Sequence, residues 1–530
     1  MLCWPPDTHV PRSDEAPTFR TAPRGSPDSG AFPFLDTHEA NMLKLSNSAL
    51  PQLAAGVTRP TYDRSKVSVG IVHFGTGGFH RAHQAMYVDR LMNAGLAMDW
   101  GICGVGVMPG DMRMRDALKS QDCLYTLVVK NPDGQYDGHV VGSIVDYLYA
   151  PDDPERVIEL MAAPSTRIVS LTITEGGYNF HHVTGDFDYD NPAVAADLAG
   201  NSAPTTVFGL TIEALRRRRD RGIAPFTIMS SDNIQANGEV AHKMFAAYAM
   251  RKDKALGEWV EANVAFPNAM VDRITPVTAP ADIEQVKTRF GIDDAWPVVC
   301  EPFTQWVLED HFPLGRPEFE KAEVQLVADV VPYELMKLRL LNASHQALTY
   351  FGYLAGYRYA HEVTQDPLFE TFLLNYMELE GTPTLMPVPG VDLDLYRKTL
   401  IARFANPEVK DTLARLCAES SDRIPKWLVP VIRANLASGG EIKRSAAVVA
   451  SWARYAEGKD EQGEPIVVVD RMKGELMAIA QHNRENITAF IENREVFGDL
   501  CDNARFVTAY TEALQSLYHV GAKETVRRYA

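Results

Sequence analysis

Val67-Ser-Val-Gly-Ile-Val-His-Phe-Gly-Thr-Gly-Gly-Phe-His80 is an apolar run of strand length that breaks at three glycines, just before a helical pattern over 83–94. A strand that ends in a glycine turn and feeds a helix lets the backbone approach a pyrophosphate, with Gly75 and Gly77 leaving the room. The third glycine of the G-x-G-x-x-G spacing is His80 here, so the motif alone also fits an ordinary strand-to-helix turn. Working outward, Trp100-Gly-Ile-Cys-Gly-Val-Gly-Val, Tyr125-Thr-Leu-Val-Val, Ile168-Val-Ser-Leu-Thr-Ile-Thr and Phe226-Thr-Ile-Met-Ser are further apolar runs of strand length, separated by helical stretches. Alternation of this kind builds an α/β domain around a largely parallel sheet. After about residue 331 the period changes. The segments 333–357, 368–379, 394–403, 410–419, 425–436, 442–456, 472–483 and 501–518 repeat apolar residues at three and four, and strand-like runs nearly vanish. The chain reads as an α/β domain over 42–327 followed by an all-α domain over 328–530.

A length of 530 residues calls for more than one core, because single cores stop growing near 250–300 residues. The net charge of −17 argues against a general affinity for nucleic acid or anionic membranes and favours a small-molecule substrate. No window of about 18 apolar residues could span a bilayer, and a cytoplasmic protein is expected. Cys3, Cys103, Cys123, Cys300, Cys417 and Cys501 are far apart, with no Cys/His cluster at metal-ligand spacing, and read as reduced thiols. Residues 1–41 hold seven of the 33 prolines and no periodicity. They read as a disordered extension, or as sequence upstream of a start at Met42, and lack the basic and apolar stretches of a secretory signal.

Lys337-Leu-Arg-Leu-Leu-Asn342-Ala-Ser-His345 is the most informative polar segment. On an α-helix, with Lys337 at zero, Glu334 falls at about 60°, His345 at about 80° and Asn342 at about 140°. Leu338 and Leu341 share that arc, so the amine would lie among apolar side chains. Such a lysine loses the solvation of its charge and moves toward the neutral range a general base needs. The competing reading is the washed face of an amphipathic helix. Ser230-Ser-Asp-Asn233 follows a strand at the sheet edge where open α/β folds bind ligands, although an Asp-Asn pair is also a common turn. Beyond the second strand, Asp111 suits the ribose hydroxyls of NAD, while Arg113 and Arg115 leave NADP open. His80 and His83 have no third metal ligand nearby, and no metal is expected.

Five motifs in order carry a resemblance: Gly75-Thr-Gly-Gly-Phe-His-Arg-Ala-His83, Ser231-Asp-Asn233, Met270-Val-Asp-Arg-Ile-Thr-Pro276, Glu301-Pro-Phe-Thr-Gln-Trp-Val307, and Lys337 with Asn342 and His345. Together they resemble the polyol-specific long-chain dehydrogenases, from about Met42 to the C-terminus. The resemblance implies a Rossmann-type N-terminal domain, a 6-phosphogluconate-dehydrogenase-like helical C-terminal domain, a monomer, no metal, and an active site between the domains. It implies hydride exchange between NAD and a polyol or its ketose, with D-mannitol and D-fructose foremost. Lys337 would be the general base, Asn233 and Asn342 would hold the alcohol oxygen, His345 would orient the hydroxyl, and Glu334 would begin a proton path. Asp272, Val271 and Arg415 would meet the remaining hydroxyls, with Arg415 beside Asp272. Gly75, Gly77, Phe79 and Asp111 would hold the cofactor. At the next substrate position the family pattern has lysine, where this chain reads Asp422-Arg423-Ile-Pro-Lys426. Arg423 could grip a carboxylate with two prongs, so a hexuronate reductase stays open, as does an arabinitol dehydrogenase. A dinucleotide-binding sensor without turnover is the non-enzyme alternative, but it would need the glycine turn and no general base.

Overall fold

The structure, a computed structural model, describes residues 42–181 and 185–530; the disorder expected of 1–41, and Cys3, lie outside the described residues. The α/β half contains β1 (Val69–Phe74), β2 (Gly101–Gly106), β3 (Tyr125–Lys130), β4 (Tyr136–Val141), β5 (Ile144–Tyr149), β6 (Ile168–Leu171), β7 (Thr227–Ser230), β8 (Ala269–Asp272), β9 (Val298–Cys300), β10 (Gln305–Glu309) and β11 (Gln325–Val327). Five of them form a parallel sheet in the order β5-β2-β1-β6-β7. That order reverses at β1, which places a ligand crevice at its carboxyl end.

Both faces of this sheet are covered, so its strands are apolar throughout rather than alternating. Ile71, Ile102, Ile144, Ile168 and Met229 pack on one side with the helix Gln84–Asn93. Val72, Cys103, Val169 and Ile228 pack on the other with the helices Pro154–Ala162, Val207–Asp220 and Asn237–Lys252. The helical pattern over 83–94 has a forerunner, Gly78–Ala82, and the two helices break at His83 (φ −127°, ψ −94°).

Three smaller sheets complete this half: a two-stranded pair of Leu43–Lys44 with Ile292–Asp293, and the three-stranded β9-β3-β4 and β11-β10-β8, of which the last matters for the site. The β11-β10-β8 sheet carries the site outward: β8 pairs antiparallel with β10, Asp272 opposite Gln305. Met270 of β8 and Val307 of β10 belong to the same buried cluster as Tyr333, Leu340, Trp452 and Tyr510 of the helical half. One apolar core thus runs through the seam. At its centre is the helix Ala343–Leu354, in which only Tyr353 is not buried. A helix hydrophobic on every side must be surrounded, and Lys443–Tyr455 and Ala504–Tyr529 pack around it.

Several helices differ from their expected extents for local reasons. The segment 425–436 is two helices, Ser420–Trp427 and Val429–Ser438, because Pro430 has no N–H to continue the first and instead opens the second. Of 410–419 only Leu413–Cys417 is helical, since Lys410 and Glu419 both take a left-handed backbone (φ +53°). The segments 333–357 and 368–379 each contain a π-helical turn, described below.

Candidate active site

The helix that carries Lys337 is not uniform. Val331–Met336 is α-helical, Lys337–Asn342 is a π-helical turn, and Ala343–Leu354 returns to α. A π turn closes its hydrogen bonds five residues on, so Asn342 comes one turn after Lys337 instead of standing off to its side. The α-helical angles expected for Asn342 and His345 are corrected accordingly. A second π turn, Met377–Gly381, supports the first. The Tyr376 hydroxyl donates to the Arg339 carbonyl at 3.1 Å. A Cβ on Gly381 would sit 2.8 Å from Leu340 Cδ2 and 3.3 Å from the Arg339 carbonyl oxygen, so a larger residue there would push Leu340 aside.

Lys337 is buried, and its Nζ donates to Asn233 Oδ1. Burial lowers its pKa, with Arg403 adding to the effect and Asp272 and Glu334 opposing it. Asn233 reaches it from the α/β half on a turn held by Asp232, which accepts from the Ile173 and Thr174 amides (3.1 and 2.7 Å) and the Tyr178 hydroxyl (2.8 Å). Asn342 Oδ1 and His345 Nε2 are buried with no hydrogen-bond partner among the described residues, so both are free to bond to a polar ligand. His345 leans on the Phe404 ring at 4.5 Å, and burial holds it at about 3, so it is a neutral imidazole. Burial pushes the Glu334 carboxyl up to about 7 against the Ala236 amide, which donates to its Oε1 at 2.9 Å.

The expected pairing of Arg415 with Asp272 is corrected. Arg415 grips Asp411, four residues back on its own segment, with Nε and Nη2 at 2.7 and 2.6 Å. The guanidinium on Asp272 is that of Arg403, which also holds Glu301. Burial alone would raise the Asp272 carboxyl, but Arg403 overcomes it and the group lies below its ordinary value. Val271 is buried beside it on β8. Arg423 turns neither to solvent nor to Asp422: its Nη1 donates to the Arg415 and Leu416 carbonyls (3.2 and 3.1 Å), and its guanidinium stands over Trp427.

At the carboxyl edge of the parallel sheet, Gly75 takes φ +90°, and a Cβ there would lie 2.0 Å from the Thr172 carbonyl oxygen. Gly77 is exposed and caps the short helix after it, while Phe79 stacks on His83 at 5.0 Å. Thr76 Oγ1 and both His80 nitrogens are buried without partners at this turn. Asp111 Oδ2 accepts from the Val107 and Met108 amides (2.9 and 2.8 Å), which fixes the carboxylate at the end of β2 with Oδ1 to spare. Arg113 stacks on Trp296 and Arg115 pairs with Asp116 and Asp152, so the arginines that left NADP open are engaged. His83 Nε2 bonds to the Gln305 carbonyl, and among the described residues no three His, Cys, Asp or Glu side chains gather at metal-ligand spacing.

Sequence reasoning passed over Arg403 and Tyr376, and quoted Glu301 in a motif without giving it a role. Arg403 had a signal, a lone charge among Leu400, Ile401 and Phe404 at helical spacing, the same pattern that singled out Lys337. Tyr376 had none, because a hydroxyl that completes a π turn looks like any aromatic core residue. Tyr376→Phe should cost about 1 kcal/mol in unfolding free energy through the unpaired Arg339 carbonyl. It should also lower turnover several-fold by loosening the turn that carries Lys337; denaturant titration and steady-state kinetics on the same preparation check both.

The Mannitol dehydrogenase Rossmann domain matches residues 69–321, and the Mannitol dehydrogenase C-terminal domain matches 329–518. A mannitol 2-dehydrogenase of Phaeosphaeria nodorum is 47% identical over 93% of this chain and 86% of its own. One of Aspergillus fumigatus is 46% identical over 92% and 99%. Among solved structures, the Pseudomonas fluorescens mannitol 2-dehydrogenase ternary complex with NAD and D-mannitol superposes with a TM-score of 0.83 at 46% identity, covering 92% of this chain and 99% of that one. A substrate-free D-sorbitol dehydrogenase superposes with a TM-score of 0.85 at 37% identity, covering 91% and 100%. With both domains matched in sequence and in fold, the chain belongs to the mannitol dehydrogenase family.

Proposed function

We propose that this chain oxidises D-mannitol to D-fructose with NAD and catalyses the reverse reduction. The observation that carries this reading is the buried amine of Lys337 on Asn233, beside the unpaired Asn342 Oδ1 and His345 Nε2. NAD, when bound, would supply the hydride acceptor; Gly75, Gly77 and Phe79 would form its turn, and Asp111 would meet the ribose.

In alcohol oxidation neutral Lys337 takes the hydroxyl proton. The amide N–H groups of Asn233 and Asn342 donate to the oxygen as its negative charge develops, an oxyanion-hole role. Asn342 is then turned so that its Oδ1 faces a substrate hydroxyl. His345, neutral and braced by Phe404, orients the reacting hydroxyl. Glu334, held near neutrality, takes the proton onward from Lys337. Asp272 accepts from the distal hydroxyls, with Val271 beside them and Arg415 and Arg423 at the far wall. Arg415 is paired with Asp411, and Arg423 Nη1 is held by the Arg415 and Leu416 carbonyls. A uronate carboxylate would have to draw Arg415 from Asp411 or Arg423 from its carbonyls, so the wall suits a neutral polyol better.

This reading divides the chain at 42–327 and 328–530. It describes a monomer working in the cytoplasm, without nucleic acid, membrane or metal. Among the described residues no helix is long and apolar enough to cross a membrane.

Lys337→Ala should lower mannitol oxidation by at least the 10²–10⁴ typical of a lost proton acceptor. Because the wild-type amine must be neutral to accept a proton, oxidation should rise with pH through its lowered pKa. Ketone reduction, which needs the protonated amine, should fall over the same range. Activity of Lys337→Ala within about tenfold of wild type would remove Lys337 from the mechanism. With NADH, kcat/KM should favour D-fructose over fructuronate, and Arg423→Lys should leave that order unchanged. A preference for fructuronate that the substitution abolishes would reassign the substrate.

A further inference from the structure

Arg403 comes from the helix Leu393–Phe404 in the helical half and reaches two carboxylates of the α/β half. Its Nη1 and Nη2 donate to Asp272 Oδ2 and Oδ1, both at 2.8 Å. Its Nε and Nη2 donate to Glu301 Oε2 and Oε1 at 3.0 and 2.8 Å. All three side chains are at least 95% buried. The guanidinium lies over the Phe303 ring at 3.9 Å. Glu301 is fixed in turn: its Oε1 accepts from the Ile274 amide at 2.6 Å, and its carbonyl accepts from Arg273 Nε and Nη2 at 3.1 and 3.0 Å. On the side of the site, Arg403, His345 and Asp411 line one small cavity.

We propose that Arg403 is a positioning residue for the polyol: its fork presents Asp272 as a rigid, ionised acceptor to the substrate hydroxyls, while Glu301 holds the fork. The inference rests on the assignment of Asp272 to substrate hydroxyls made above. A carboxylate has about four acceptor positions, and Arg403 takes one on each oxygen of Asp272, leaving one on each at a set angle. A lysine could not do this, because an ammonium is a point charge without a planar fork. Stability alone is a weak reason for the cluster, since buried ion networks are often replaceable by apolar residues without loss.

The charges nearby make the role readable in solution. Asp272 and Glu301 set two carboxyl groups against the one charge of Arg403, with burial raising the Glu301 carboxyl, and Arg273, Lys337, neutral His345, His83 and the Tyr396 hydroxyl surround them. Removing the Arg403 charge leaves two buried carboxylates side by side, which must share a proton until the pH is high. At high pH both ionise next to Lys337, whose pKa then rises because the cation that lowered it is gone.

The test uses the full chain as Arg403→Gln, Arg403→Lys, Glu301→Gln and Asp272→Asn. The measurements are pH profiles of kcat and kcat/KM for mannitol oxidation, NADH affinity by fluorescence, and unfolding temperature. Arg403→Gln should raise the mannitol KM by about 10²-fold and move the rising limb of kcat/KM, which follows the Lys337 amine, up by about one pH unit, with NADH affinity unchanged. Arg403→Lys should restore the position of the limb but not KM. If Arg403→Gln does not fold, Arg403→Lys against Glu301→Gln decides: the first, which loses the fork, should raise KM most, and the second, which keeps the fork on Asp272 but weakens the hold on it, should raise KM by less, with NADH affinity unchanged in both. Equal losses in KM, kcat and NADH affinity for these two variants would show a packing role and overturn the inference. A crippled Asp272→Asn beside an unaffected Arg403→Gln would overturn the inference alone. An Asp272→Asn as active as wild type would overturn the assignment of Asp272 and the inference with it.

Discussion

An amine sealed between two halves of a protein is expensive as a cation, and the rest of this site is organised around that cost. Lys337 forms no ion pair among the described residues; its partner is a neutral amide, Asn233 Oδ1. Desolvation therefore lowers its pKa, while Asp272 and Glu334 keep it from falling out of reach of protons. The same burial makes His345 neutral and brings Glu334 near neutrality. One physical cause shifts all three groups toward their neutral forms, and that direction suits proton transfer from an alcohol.

The groups that surround this amine come from both halves of the chain, which explains why neither half could hold the site alone. Asn233 and Asp272 sit at strand ends of the α/β half, and Lys337, Asn342, His345 and Arg403 sit on helices. Met270 and Val307 carry the helical core across the seam, and the Arg403 cluster closes it with charge. Arg403 thus couples seam and site: the residue that ties helix Leu393–Phe404 to β8 also bears on Lys337.

Much of this was readable in the chain. Apolar runs punctuated by glycine mark the parallel strands because both sheet faces are buried, and a period of three and four marks the helical half because each helix buries one stripe or more. The turn at Gly75 and the polar arc at Lys337 were visible because local sequence determines them. What escaped is non-local or breaks a period. The π turn at 337–342 inserts a residue into a helix whose sequence looks α-helical, and its support, Tyr376 on Arg339, is a contact between distant segments. Asp272 and Arg403 stand 131 positions apart, and no spacing rule joins them. Arg415 was misplaced beside Asp272 because a partner four residues away on its own segment, Asp411, satisfies it first.

The central claim, a lysine amine held below its ordinary range by burial, is open to direct titration. Chain labelled with carbon-13 at the lysine ε position and saturated with NAD should show one ε-carbon resonance, absent in Lys337→Ala, that titrates well below the ordinary value of about 10.4 while the surface lysines titrate near it. If every lysine resonance in the wild-type chain titrates near that ordinary value, Lys337 is an ordinary ammonium and the account of the site fails.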